Sequence, residues 1–299
     1  MCRNGISRVS VVMCTYNGVK YVKEQLDSIL RQTFSDFELV VCDDCSNDGT
    51  WEFLQEYATG HENVRLYRND QNLGFLKNFE KVLGLASGDY IAFCDQDDIW
   101  ISNHLELLFN SIGDNMLACG NSLLVDENNV ELGMTLLQQE GIVHLPKNNL
   151  DIARMIFLNH NPFQGAAMMF RKEFIAIALP MPEQANYHDV WFAALASFMD
   201  SFVYIKAPIV RYRMHGKNVS GNHQIKSSQA ALGQLVRSHY VGNRPDLLAA
   251  IEERGVLKTK EQLKYGKAIK RYFHNARSKY TKLLNFPFII ANFRSITTI

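Results

Sequence analysis

Three carboxylates stand within four positions of the sequence, directly after an apolar run. The run extends from Tyr90 to Cys94 (YIAFC), and Asp95, Asp97 and Asp98 follow it. A crowded carboxylate is unfavourable unless it is paired, hydrogen-bonded or bound to a cation. A helix cap accounts for only one of the three. Because oxygen ligands suit hard cations, we predict a Mn²⁺ or Mg²⁺ site that phosphates of a substrate complete.

Two further polar clusters follow apolar, strand-like runs. Thr15-Tyr16-Asn17 follows VSVVMC, and Asp43-Asp44 follows FELVVC. Strand-like and helix-like runs alternate here, which predicts an α/β fold with a mostly parallel, Rossmann-like sheet flanked by helices. Ligands bind beyond the carboxyl ends of such strands, so the three clusters should line one cleft. Asp43 and Asp44 can then accept hydrogen bonds from N–H or hydroxyl groups of a ligand.

Apolar periodicity predicts the individual elements. In the first part of the chain we expect strands over Val9–Cys14, Phe37–Cys42, Val64–Tyr67 and Asp89–Cys94, with helices over Val19–Leu30, through Trp51 and Tyr57, through Leu76 and Leu83, and over Asn103–Ile112. Beyond these we expect strands over Leu117–Val125, Ala166–Phe170 and Phe202–Arg211, a helix over Asp189–Met199, turns and a loop over Asp126–Asn149, and basic helices from His223 onward.

A last polar cluster, Tyr187-His188-Asp189-Val190-Trp191, precedes a predicted helix. Asp189 can cap that helix, or it can act as a general base that takes the proton of a substrate hydroxyl. His188 can tune that base or serve as the base itself. Trp191 is either a core residue or a surface on which a sugar stacks. The residues alone leave these alternatives open.

The sequence has no P-loop and no GxGxxG motif, so a bound pyrophosphate needs another source of positive charge. Besides a metal, the candidates are Lys77, Arg211, Arg213, His215 and Lys217. The C-x-x-C formed by Cys42 and Cys45 has no second pair that would complete a zinc site. Cys42 also ends an apolar run, a common position for a buried thiol.

Composition indicates a globular protein, with 299 residues that are 47% hydrophobic and 21% charged. No apolar stretch is long enough for a transmembrane helix, and the first residues lack the apolar core of a signal peptide. The six cysteines show no disulfide framework. We therefore expect a cytoplasmic protein with reduced thiols.

The charge is unevenly distributed along the chain. Residues 201–299 hold 18 Lys and Arg against 4 Asp and Glu, and the remaining residues hold 13 against 27. The basic part fits an anionic partner, either nucleic acid or lipid headgroups, and equally a solvated basic helical face. The acidic N-terminal cleft argues against a nucleic-acid partner.

The ordered motifs resemble those of the family-2 inverting glycosyltransferases, which have the GT-A fold. The segments are VSVVMCTYNG, FELVVCDDCSNDGT, NDQNLGF, GDYIAFCDQDDIW, HDVW and YRMHGKN, and they span residues 9–218. The DQDDIW and HDVW variants look most like a rhamnosyltransferase-like branch active on bacterial surface polysaccharides. The resemblance implies a nucleotide-diphospho-sugar donor, dTDP-rhamnose or a UDP-hexose, and a glycan or lipid-linked saccharide as acceptor.

The resemblance also implies residue roles. Thr15, Tyr16 and Asp43 would contact the nucleotide base and ribose, with Asp44 nearby. Asp95-Gln96-Asp97 would be the D-x-D element, in which Asp97 binds the metal and Asp95 holds the ribose or the metal. The donor site that we predict from residues and resemblance together consists of Thr15, Tyr16, Asn17, Asp43, Asp44, Asn72, Lys77, Asp95, Gln96, Asp98, Trp191 and Arg213.

In the C-terminal motifs, Asp189 aligns with the catalytic base of the family. His215 and Arg213 fall where the family often has metal or diphosphate contacts, and Asp98 would contact the donor sugar or its own loop. The chain departs from the family at Phe79-Glu80, where an Arg-Asn pair is common, and Lys77-Asn78 is the candidate replacement. It also has His188 where the family has Glu before the base.

We therefore expect a GT-A catalytic domain over residues 1–222 and a basic helical extension over residues 223–299. The extension mixes Lys and Arg with aromatic and aliphatic residues, as do segments that lie on anionic membranes at the inner face of the membrane. One alternative with the same fold is a nucleotidyltransferase, but TYNGVKYVKEQ lacks the Gly-rich, Arg-containing loop of those enzymes. The other is a non-catalytic anion-binding module.

Overall fold

The computed structural model describes residues 8–158, 161–185, 187–216, 218 and 244–283. It contains a nine-stranded sheet in the order β3-β2-β1-β4-β8-β6-β9-β5, and β7 pairs with β6. The strands are β1 (Val9–Thr15), β2 (Phe37–Asp43), β3 (Val64–Arg68), β4 (Tyr90–Cys94), β5 (Ile99–Trp100), β6 (Leu117–Val125), β7 (Glu131–Thr135), β8 (Met168–Arg171) and β9 (Phe202–Arg213).

Helices connect the strands and cover the sheet. They are α1 (Val22–Leu30), α2 (Thr50–Ala58), α3 (Phe75–Leu85), α4 (His104–Ile112), α5 (Leu136–Gln139), α6 (Asn149–Leu158), α7 (Ile175–Ala178), α8 (His188–Phe198), α9 (Arg244–Glu253) and α10 (Lys260–Leu283). Short 3₁₀ turns at Gly165–Ala167 and Lys172–Phe174 flank β8.

The part of the sheet formed by β3, β2, β1 and β4 is parallel. Its register brings Thr15 opposite Asp43, and Met13 opposite Cys94. Parallel strands in register end at the same edge, so the residues that follow β1, β2 and β4 are neighbours. β8 then joins β4 in the antiparallel direction. The predicted α/β class is confirmed.

The core forms because the central strands are apolar on both faces and helices cover both faces of the sheet. Every residue of β2 is buried, as expected for a strand covered by helices on both faces. An aromatic cluster centred on Phe93 of β4 joins three other elements: its ring lies 5.4 Å from Phe79, 4.9 Å from Phe170 and 5.0 Å from Phe192. Burying a phenylalanine side chain stabilises the fold by about 1.5–3 kcal/mol.

The structure corrects several element boundaries. α1 begins at Val22, not Val19, because Gly18 to Tyr21 form a turn. The predicted strand over Ala166–Phe170 begins only at Met168, after the 3₁₀ turn. The stretch 126–149, expected to be turns and a loop, contains β7 and α5, because β7 pairs with β6. Of the basic C-terminal helices, α9 and α10 are described, and residues 219–243 lie outside the described residues.

The chain divides into two compact units, Met1–Leu257 and Lys258–Ile299. The sheet and α1–α9 belong to the first unit, and α10 belongs to the second. The boundary predicted at residue 222 falls outside the described residues and stays a prediction. None of the helices in the described part of the chain is long and apolar enough to cross a membrane.

Candidate active site

The loops after β1 and β2 are joined by a buried network around Asp43. Thr15 Oγ1 donates to Asp43 Oδ1 at 2.9 Å, and the Ser46 hydroxyl donates to the same oxygen at 2.5 Å. The Ser46 N–H donates to Asp43 Oδ2 at 2.9 Å. Asn17 continues the network, because its N–H donates to Ser46 Oγ and its Oδ1 accepts from the Asn47 N–H. The two loops therefore form one rigid wall of the cleft.

Asp44 organises the loop before α3. Its carboxylate accepts hydrogen bonds from the N–H groups of Leu73 and Gly74 at 2.8 and 2.9 Å, and from Asn69 Nδ2 at 2.6 Å. Asn72 contributes by accepting the Gly74 N–H at 3.0 Å. Asp44 is 3% exposed, so its main task in this structure is to hold the N-x-G segment against β2.

Gln96 makes two hydrogen bonds to the backbone of the loop after β1. Its Oε1 accepts the Tyr16 N–H at 3.0 Å, and its Nε2 donates to the Tyr16 carbonyl at 3.1 Å. The amide lies directly over Gly18, where a Cβ atom would come within 2.1 Å of Gln96 Oε1. Tyr16 itself is 47% exposed. The middle residue of the D-x-D element therefore fixes the backbone that presents the Tyr16 ring to the cleft.

Asp97 of the acidic loop and His215, just after β9, are in direct contact. His215 Nε2 lies 2.9 Å from Asp97 Oδ2, and the His215 ring stacks on Tyr21 with centroids 4.7 Å apart. The structure thus brings together two of the three residues predicted as metal ligands, and the third, Asp95, stays a prediction. In the described part of the chain, no three His, Cys, Asp or Glu side chains are arranged to hold a metal ion. This set fits a cation whose other ligands are phosphate oxygens, because Mg²⁺ commonly binds one or two carboxylates plus substrate phosphates.

Arg213 is buried behind the acidic loop and holds it through the backbone of Asp97. Its side chain is 1% exposed, and its guanidinium donates to the carbonyls of Asp97 and Glu127 at 2.8 Å each and to the Glu24 carboxylate. It also lies 4.9 Å from the centre of the Tyr21 ring. The prediction of a diphosphate contact for Arg213 is therefore corrected: its donors are occupied by protein groups.

Asp98 is also turned inward. Its side chain is fully buried, Oδ1 accepts the Arg213 N–H at 3.0 Å, and Oδ2 accepts from Gln164 Nε2 at 2.5 Å. Both oxygens thus bind groups outside the acidic loop, on β9 and on the segment before β8, and the buried side chain does not face a donor sugar. Two more basic residues predicted to contact the diphosphate are paired with acidic side chains: Lys77 with Glu80, and Arg211 with Glu131. Lys217 lies outside the described residues.

Asp189 lies in the first turn of α8 and within electrostatic reach of the acidic loop. Burial raises the pKa of Asp189 to about 7, although hydrogen bonds from the N–H groups of Val190 and Gly165 oppose this. Burial, followed by the charges of Asp97 and Asp189, also raises the pKa of Asp95. A carboxyl group with a pKa near neutrality is suited to take a proton at physiological pH.

His188 and Trp191 are core residues. This corrects the prediction of a sugar-stacking role for Trp191 and the alternative that His188 is the base. Trp191 is fully buried and its Nε1 donates to the Ala178 carbonyl at 2.8 Å, so it offers no surface to a sugar. His188 stacks on Phe79 at 4.2 Å, and neither ring nitrogen has a hydrogen-bond partner among the described residues. Burial lowers the pKa of His188 to about 3. A ring with so low a pKa is too weak a base to take the proton of a hydroxyl near neutral pH, so His188 does not serve as the base.

Several contributors were not predicted from the sequence, and Gln164 was expected only in a segment, 159–164, that sets the acceptor. Arg68 lies with Nε 3.6 Å from Asp43 Oδ2, and its position directly after the predicted third strand was the available signal. Tyr21, Glu24 and Gln164 act through partners that are remote in sequence, and no local pattern marks them. The C-x-x-C is not bonded, since Cys42 and Cys45 are both free thiols.

A family model described as Glycosyl transferase family 2 matches residues 10–177. This chain belongs to glycosyl transferase family 2. The match contains the ends of β1, β2 and β4 and the whole D-x-D element. It ends before Asp189 and His215, so the roles of these two residues depend on the motifs and the geometry described above.

Similar proteins are found among sequences and solved structures. WfgD of Escherichia coli, a UDP-Glc:α-D-GlcNAc-diphosphoundecaprenol β-1,3-glucosyltransferase, is 26% identical over 77% of this chain and 87% of its own length. TarS 1–349 of S. aureus with UDP-GlcNAc superimposes with a TM-score of 0.57 at 18% identity, covering 92% of each chain. The mannosyltransferase PcManGT of Pyrobaculum calidifontis with GDP-Man and Mn²⁺ gives 0.53 at 17%, covering 91% of this chain and 84% of its own. The predicted GT-A fold is confirmed.

Proposed function

We propose that the protein is an inverting glycosyltransferase of surface polysaccharide biosynthesis. It would move a sugar from a nucleoside-diphosphate donor, dTDP-rhamnose or a UDP-hexose, to a hydroxyl of a glycan or lipid-linked saccharide. The observation that carries this proposal is the arrangement of the acidic loop Asp95–Asp98 beside Asp189 at the carboxyl edge of the parallel strands. The lipid-linked acceptor named for WfgD and the UDP-GlcNAc bound to TarS support it.

The nucleotide would bind over the wall formed by the loops after β1 and β2. Tyr16 offers an exposed ring to the base. Asp43 is fully buried and its oxygens accept from Thr15 and Ser46, so it supports the wall and would accept an N–H group of the base only once the wall opens. Uracil and thymine present the same N–H and carbonyl edge to a carboxylate. The wall therefore suits UDP and dTDP alike, and the rhamnosyl donor stays a prediction.

The chemistry assigns one task to each carboxylate. Asp189 would take the proton of the acceptor hydroxyl while that oxygen attacks the anomeric carbon from the face opposite the diphosphate, which inverts the configuration. Asp97 and His215 are the residues that would hold Mn²⁺ or Mg²⁺, and Asp95 would contact the ribose or the metal. A bound cation supplies positive charge that stabilises the departing diphosphate.

Titration calorimetry of UDP and dTDP, each with and without Mn²⁺, tests the donor site. We expect metal-dependent binding of at least one nucleotide and its loss in Asp97→Ala, since that variant lacks the carboxylate of the Asp97–His215 pair. Asp114→Asn, at an exposed position, is the control. Binding that is equally tight in Asp97→Ala would remove the metal role, and no binding of either nucleotide would remove the proposal.

A release assay tests the reaction class. Incubation with a nucleotide sugar and a lipid-linked saccharide should liberate free nucleoside diphosphate, because the C–O bond of the anomeric carbon breaks. A second incubation, with a nucleoside triphosphate and a sugar 1-phosphate, should liberate no pyrophosphate, and its liberation there would indicate nucleotidyl transfer and contradict the proposal. A lipid-linked acceptor would also make peripheral association with the inner face of the membrane useful, and the basic C-terminal part is the segment that we propose for it.

A further inference from the structure

The segment before β8 passes between the two halves of the site. It contains Gln164 and the first residue of the 3₁₀ turn, Gly165. Gln164 contacts the acidic loop, and Gly165 contacts the helix that carries the base. Two adjacent residues thus reach Asp98 on one side and Asp189 on the other.

Gln164 bridges two elements through its carboxamide. It is 8% exposed, its Nε2 donates to Asp98 Oδ2 at 2.5 Å, and its Oε1 accepts the Ser122 hydroxyl at 2.6 Å. The amide nitrogen faces Asp98, and the amide oxygen faces Ser122. Asp98 directly follows the metal ligand Asp97. Gln164 therefore ties the acidic loop to β6 with a fixed orientation.

Gly165 supports the base in two ways. Its N–H faces the Asp189 carboxylate and lowers the pKa of that group, which burial raises. Its Cα lies against the His188 ring, where a Cβ atom would come within 2.2 Å of Nε2 and 2.8 Å of Cε1. That ring has no room to retreat, because Phe79 stacks on it at 4.2 Å and Phe93 meets it edge-on at 4.4 Å. Glycine is required here by close approach.

We propose that Gln164 and Gly165 are positioning residues that set the geometry of the base relative to the metal-binding loop. The role rests on the proposed function, since it assigns support to the residues that carry the reaction. Gln164 governs the donor side through Asp98, and Gly165 governs the acceptor side through Asp189. The two residues should therefore affect different kinetic quantities when they are changed.

Gly165→Ala tests the acceptor side, with Gly84→Ala on α3 as the matched control. A Cβ at Gly84 meets nothing within 4 Å, so that variant should behave as the wild type. In Gly165→Ala the new methyl group displaces His188 and the adjacent Asp189. We expect kcat to fall about 100-fold, as for a misplacement of about 1 Å, while the Kd for nucleoside diphosphate with Mn²⁺ stays unchanged.

Gln164→Met and Gln164→Glu test the donor side. Met retains the length of the side chain without its hydrogen bonds, and Glu adds a negative charge beside Asp98. We expect the metal-dependent Kd for nucleoside diphosphate to rise about tenfold in Gln164→Met and further in Gln164→Glu. A purely structural role would give no such order and would change kcat and Kd together.

A double variant protects the test against a folding defect. Gly165→Ala should be less harmful in a His188→Ala background, because the clashing ring is gone. Equal kcat in Gly165→Ala and Gly84→Ala, or an equal loss of nucleotide binding in all Gln164 and Gly165 variants, would overturn the positioning role while the wild type still turns over. A wild type that neither binds nucleotide nor transfers sugar would overturn the proposed function itself.

Discussion

At the scale of single residues, the protonation of Asp189 should control the rate. Burial raises the pKa of Asp189 to about 7. The group is protonated below that pH and cannot accept a proton, whereas above it the carboxylate is free to act. We therefore expect kcat/KM to rise with pH up to about 7 and then to level off, measured at saturating Mn²⁺ in buffers of constant ionic strength.

Asp189→Asn is the variant that identifies the group responsible for this pH dependence. The amide cannot take a proton, so kcat should fall by about 10²- to 10⁴-fold and the residual rate should lose its rise near neutral pH. Nucleotide affinity should stay as in the wild type. An Asn variant with the wild-type profile would show that another group is the base.

Gln96 gives a second prediction at this scale. Its carboxamide makes two hydrogen bonds with the Tyr16 backbone, and each contributes about 1 kcal/mol. Gln96→Ala should therefore raise the donor KM by about 10- to 30-fold, with a smaller change in kcat, because the wall that presents Tyr16 loses its support. The exposed Gln55→Ala on α2 is the control. An unchanged KM would mean that the loop after β1 keeps its conformation without the two hydrogen bonds from Gln96.

At the scale of elements, the apolar runs of the central strands were sufficient to predict β1, β2 and β4, because a strand buried on both faces must be continuous in apolar residues. The same reasoning failed for β7, whose polar sequence is held by pairing with β6. It also predicted a diphosphate contact for Arg213, whose donors bind protein groups, and it predicted no protein partner for Gln164. The oxygen that Gln164 binds on Asp98 is 66 positions away, and no local pattern encodes such a contact.

A carboxylate on β2 links the strands at the edge opposite the cleft. Burial alone would raise the pKa of Glu38, but hydrogen bonds from Ser10, Ser87 and Arg65 outweigh it and lower that pKa to about 2. The stability that this provides is complete above the unfolded pKa of about 4.3 and is lost as the pH falls towards about 2. The shift corresponds to roughly 3 kcal/mol.

Glu38→Gln should therefore lower the free energy of unfolding at pH 7 and flatten its decline between about pH 4.5 and 2.5. Urea denaturation at several pH values measures both effects. Glu56→Gln, at an exposed position on α2, should leave the wild-type curve unchanged. If Glu38→Gln retained the acid-dependent decline of the wild type, a group other than Glu38 would be responsible for that decline.

At the scale of the whole molecule, opposite charges are separated along the chain. The acidic residues concentrate in the part that forms the cleft, and residues 201–299 hold 18 Lys and Arg against 4 Asp and Glu. Lys264, Lys267 and Arg271 of α10 are exposed. A surface of this kind gains about 1 kcal/mol per basic residue near an anionic bilayer, and salt screens the gain.

The full chain should therefore sediment with vesicles that contain anionic lipid, and less so as salt rises or with zwitterionic vesicles. Reversing the charge of Lys264, Lys267 and Arg271 to Glu should weaken binding by about 100-fold or more, because each reversal removes at least about 1 kcal/mol. The same reversal at exposed Lys23, Lys147 and Arg154 changes the net charge equally and is the matched control. Equal losses in both triple variants would assign the attraction to net charge, and no loss in either would remove α10 as the membrane contact.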